Sequence, residues 1–114
     1  MGIQSQAKLY QYQSELQELI NQTQMLQGQL PKIQEDLEKM KGYLSCNYNN
    51  RLKVEYNSLV KRHNSIVNTI KRNSMRMETL NRQIAIENQK IMQSQQKQMM
   101  SAYKKSMKSC RYYY

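Results

Sequence analysis

Few residues in this chain could do chemistry: one histidine, His63, two cysteines, Cys46 and Cys110, and eight carboxylates. Glu35, Asp36 and Glu38 crowd into a single helical turn. Neighbouring carboxylates can work as an acid–base pair when their environments push their pKa values apart. Here Lys32, Lys39 and Lys41 are interleaved with them, at spacings where helical side chains neutralise one another, so a solvated face explains the cluster. His63 stands on an apolar stripe and reads as an interface residue hydrogen-bonded to a neighbouring Asn, not as a general base. One histidine and two cysteines fall short of the four ligands that structural zinc takes. The chain has no Gly-rich phosphate loop and no nucleophile accompanied by a base and an orienting group. The expectation is a non-enzymatic protein with no catalytic residue, metal ligand or cofactor.

The cysteines constrain the fold more than the chemistry. A continuous helix from Arg51 to Ser109 would hold Cys46 and Cys110 roughly 90 Å apart, whereas a disulfide needs α-carbons within about 7 Å. Two free thiols in a reducing compartment, with the cytoplasm favoured, is the first reading. Bridges between chains are an alternative. An intrachain bond is another, but it requires a second turn near Asn73 and Ser74, where no Gly or Pro supports one.

A partner-binding signal lies toward the C-terminus. Through Asn50 the chain has four basic and five acidic residues; from Arg51 onward it has fourteen basic and three acidic. From Gln89 to Tyr114 there is no acid at all. Lys97, Lys104, Lys105, Lys108 and Arg111 alternate there with Met99, Tyr103 and Met107, and these eight form the candidate docking set. Flexible Met side chains suit adaptable surfaces, and excess positive charge suits nucleic acid, an anionic surface or an acidic protein groove. The competing explanation is a solvated polar tail made basic by composition alone.

The elements that would carry these residues follow from the spacing of apolar side chains. Only 39% of the 114 residues are apolar, mean hydropathy is −0.93, and Phe and Trp are absent while Met and Tyr each occur nine times. Three Gly and one Pro are too few for the turns of a β or α/β chain, and regular apolar spacing argues against disorder. Leu9, Tyr12, Leu16, Leu19, Thr23, Leu26, Leu30, Ile33, Leu37, Met40 and Leu44 alternate steps of three and four, and ten of these eleven are apolar. That is a packing stripe on one helix face. Gly28 and Pro31 fall inside it without shifting its phase, which predicts a kink or a short break.

A second row, Leu52, Tyr56, Leu59, His63, Ile66, Ile70, Asn73, Met77, Leu80, Ile84, Glu87 and Ile91, has polar residues at three of its twelve positions. Val54, Val60 and Val67 widen its face, as if it touched more than one helix. Beyond Ile91 the row would require Ser94, Gln98 and Ser101, and apolar residues instead drift through Met92, Met99, Tyr103 and Met107.

Between the rows lie Ser45 to Asn50, of which Asn47, Asn49 and Asn50 tolerate left-handed backbone, with Asn50 expected as the cap of the following helix. The predicted architecture is all-α: a long antiparallel coiled-coil hairpin with a basic C-terminal helical extension, oligomeric in its working form. Its parts are a first arm over 1–44, a connection over 45–50, a second arm over 51–94 and a tail over 95–114. In that register Leu44 meets Leu52 and Leu9 lies near Glu87. A single long helix in a parallel oligomer, bulged at the Asn cluster, is the alternative.

In architecture and composition alone, such a chain resembles the basic hairpin subunits of flagellar and type III export stalks, prefoldin-like hairpins and Gln-rich helical subunits of type IV secretion systems. No motif carries residues across. The expected function is a structural or adaptor subunit of a larger protein assembly, self-associating or held in a complex, with its tail on an acidic partner. A nucleic-acid-associated role, such as an internal virion or packaging component, and a place in a secretion or export apparatus are the alternatives. No apolar run approaches the roughly twenty residues a spanning helix needs, and no charged-then-apolar signal opens the sequence. Gly2 suits N-myristoylation, but Gln6 stands where that pattern takes Ser or Thr.

Overall fold

A computed structural model of the chain describes residues 2–47 and 49–111, with side chains for 4–47 and 49–107. It contains two helices, α1 (Gly2–Cys46) and α2 (Asn50–Arg111), and no strand among the described residues. The chain falls into two compact units, and in the one that holds the turn the two helices make a helical hairpin.

The first unit, Gln17–Glu78, contains the turn and the helical segments on either side of it. Ile33 and Ile66 are its buried apolar residues, and Thr23 and Asn73 its buried polar ones. Leu19, Leu26, Leu30, Leu37, Met40 and Leu44 of α1 are half-buried, as are Leu52, Tyr56, Leu59, His63, Ile70 and Met77 of α2. The register is marked where the Asn73 side-chain amide donates to Thr23 Oγ1 at 3.2 Å and to Gln22 Oε1 at 3.0 Å. With Thr23 opposite Asn73, Ile33 falls opposite His63 and Leu44 opposite Leu52, in antiparallel order.

In the second unit, the residues up to Leu16 lie with those from Thr79 on. Leu80 is fully enclosed and Glu87 is 5% exposed, while Leu9, Tyr12, Leu16, Ile84, Ile91 and Ser94 are half-buried.

Local chemistry explains where the helices stop and start, and it differs in detail from the sequence reading. Helix continues through Ser45 and Cys46, so the connection is Asn47–Asn49, shorter than the interval 45–50. The last turn of α1 closes with Asn47 N–H donating to Tyr43 C=O at 2.9 Å, and the Ser45 hydroxyl donates to the Gly42 carbonyl at 2.7 Å. The cap of α2 is Asn49, not Asn50. Its Oδ1 accepts from Arg51 N–H at 3.0 Å and Leu52 N–H at 3.4 Å, satisfying donors that the first turn of a helix cannot pair internally.

Left-handed backbone plays no part among the described residues, because none of them, glycine included, has positive φ. Asn49 contributes through its side chain instead. Pro31 sits inside α1 without ending it. Val54 is 65% exposed, so it does not widen the packed face, whereas Val60 and Val67 are half-buried.

Candidate interaction surface

The polar groups most shielded from water are Thr23 and Asn73 in one unit and Glu87 in the other. In the turn-containing unit, Thr23 is 5% and Asn73 9% exposed, and the amide–hydroxyl bond between them satisfies both. His63, on the same row, is half-buried and its Nε2 has no hydrogen-bond partner among the described residues, so the expected bond to an Asn is not made at that nitrogen. Apolar Ile33 is the residue the register puts opposite it. His63 shares a shallow groove with Gln34, Leu37, Glu38, Lys41 and Tyr56.

In the other unit, Glu87 is the buried carboxylate. A hydrogen bond from the Ser5 hydroxyl holds its pKa below the ordinary carboxylate value; burial works in the opposite direction, and Lys90 and Lys8 add to the lowering. Lys90 Nζ is 3.5 Å from Oε1, while Oε2 has no partner among the described residues. Sequence spacing placed Leu9 near Glu87 but gave no sign of Ser5 or Lys8. A one-turn offset between the two was the signal that could have found them.

The acidic turn of α1 behaves as a solvated face. Lys39 and Glu35 pair at 3.2 Å with both side chains about two-thirds exposed, a contact of the kind worth little in water. Cys46 carries an exposed free thiol, and its sulfur lies 3.9 Å from the Ser45 hydroxyl. Tyr112, Tyr113 and Tyr114, and the side chains of Lys108, Cys110 and Arg111, lie outside the described residues.

The remaining docking candidates stand together on α2. Helix α2 continues to Arg111, and every residue from Gln95 to Met107 is exposed. Met99, Tyr103 and Met107 are 73%, 63% and 49% exposed. A shallow hollow lined by Gln93, Gln96, Lys97, Met100, Ser101 and Lys104 runs along this stretch.

Among the described residues, no helix is long and apolar enough to cross a membrane, and no three of His, Cys, Asp or Glu are grouped so that they could hold a metal ion. No family model, curated protein or solved structure matches the chain.

Proposed function

We propose that the chain is a non-enzymatic coiled-coil subunit of a larger assembly, oligomeric in its working form, whose basic C-terminal stretch docks to an acidic partner. The carrying observation is the helix from Gln95 to Met107, exposed on every residue and without an acidic side chain. Most helical stability in proteins comes from packing of one face against a partner, and large exposed apolar patches mark binding sites. The rows of three-and-four spacing that are buried or half-buried in each unit support the coiled-coil reading of the hairpin itself.

The charge of the second half favours a second reading, a nucleic-acid-associated protein, because fourteen cations face only three acids there. Two sets of substitutions separate the readings. Lys104, Lys105 and Lys108 to Gln should dominate binding to nucleic acid and reduce its salt slope, since each lost phosphate contact removes counterion release. Met99, Tyr103 and Met107 to Ala should weaken a protein partner at least as strongly as the lysine set. Loss confined to the lysine set, with a steep salt dependence, would overturn the protein-assembly reading.

A further inference from the structure

Placed at about 100° per residue, the side chains of α2 from Met92 to Met107 sort into three faces. Met92, Met99, Met100, Tyr103 and Met107 share an arc of roughly 100° that also takes in Gln96, and the five apolar side chains are between 49% and 73% exposed. Lys97 and Lys104 border one edge of that arc. The other edge carries Gln95, Gln98, Ala102 and Ser106, small or uncharged. The apolar arc is turned by roughly 140° from the row of Leu80, Ile84, Glu87 and Ile91, so it is a separate face and not a drifting continuation of the packed row.

We propose that this face seats in a helical groove of another protein, with an apolar floor, one acidic wall and one wall packed closely against Ala102 and Ser106. The proposal rests on the docking reading above and specifies its partner. Apolar anchors three, four and seven residues apart are the helix-in-groove spacing, and unbranched Met adapts to an irregular floor. Cations on one edge alone call for acid on one wall alone. Side chains as short as Ala and Ser on the other edge let a second backbone approach.

Other occupants fit less well. A helix lying on an anionic lipid surface is best served by cations on both flanks of its apolar arc, from which they can reach the headgroups. Nucleic acid is held by cations and has no use for five large apolar side chains gathered on one face. A second copy offers no comparable wall, because Glu35, Asp36 and Glu38 are interleaved with three lysines, Glu15 and Glu18 are the two acids between Lys8 and Lys32, and the chain as a whole carries +10.

The test uses the full chain and three defined probes at physiological salt: a duplex oligonucleotide, phosphatidylserine-containing vesicles, and a synthetic two-helix hairpin whose groove has a leucine floor, a glutamate wall and an alanine wall. The wild type should bind the synthetic groove at least tenfold more tightly than the other two. A102R combined with S106R adds charge without harming helix propensity, so it should weaken groove binding at least tenfold while strengthening attachment to vesicles and duplex. Groove binding unchanged by that pair, or tighter wild-type binding to vesicles or duplex, overturns the inference. A chain ending at Ser94 that binds the groove as well as the full chain overturns the docking reading itself, which separates the two failures.

Discussion

Replacing Asn73 by Ala removes a buried polar contact that crosses the middle of the turn-containing unit. Two hydrogen bonds are lost, 3.0 Å to Gln22 and 3.2 Å to Thr23. At roughly 0.5–1.5 kcal/mol net for each, the cost is about 1–3 kcal/mol. Gln22 is exposed and can return to water. Thr23 is 5% exposed, and its hydroxyl can recover only by turning back to a carbonyl of its own helix, which holds the loss toward the lower half of that range. Asn73→Leu combined with Thr23→Val removes both polar partners and should restore most of the stability, because no buried group is then left unmatched.

The same pair should lose pairing specificity. A single polar layer in an apolar stripe sets register at a cost in stability, and without it the arms can slide or associate between chains. Urea unfolding followed by circular dichroism, run as a double-mutant cycle, reads the coupling directly. A coupling energy of about 0.5–3 kcal/mol is expected. Strictly additive losses, or a double variant worse than either single one, would refute the polar layer as the register device.

Other substitutions probe the remaining contacts. Leu80→Ala should cost about 2–5 kcal/mol, with the half-buried Leu19→Ala and Leu59→Ala toward the low end, while Lys61→Ala stays within about 0.5 kcal/mol; equal melting-temperature losses from all four would contradict the packing described. Asn49→Ala should cost about 1 kcal/mol and fray the start of α2, seen as faster amide exchange at Arg51 and Leu52, whereas Asn50→Ala should do neither. Because the pKa of Glu87 is lowered on folding, the unfolded chain takes up that proton more readily. Its contribution is therefore present above the ordinary carboxylate value and lost as pH falls through the lowered folded value. Melting temperature should drop across that acidic window, and Ser5→Ala should shrink the drop; an unchanged pH profile in Ser5→Ala would remove the hydroxyl as its cause.

The all-helical class and the hairpin were legible because a three-and-four spacing survives in a single sequence and is hard to bury any other way. Asn clusters announce a turn, but which one caps is decided by where the next helix begins. One residue of offset moved the cap from Asn50 to Asn49. The Ser5–Glu87 contact was not legible, since a polar residue on a packing row looks like a defect until the chain opposite is placed. Met92, Met99, Tyr103 and Met107 looked like a failing heptad when compared with the row before them. On a helix exposed all round they form a second face, and only their angular position relative to Ile84 and Ile91 makes that visible.

Light scattering on the native material tests most directly whether the exposed stretch of α2 is what joins the hairpin to its assembly. The full chain should be found in a complex heavier than the hairpin alone. A chain ending at Ser94 should keep its helical signal and its melting transition, because both packed rows end before that point, and should fall to the mass of the hairpin species. A truncated chain recovered in a complex of the same mass as the full chain would contradict the proposal.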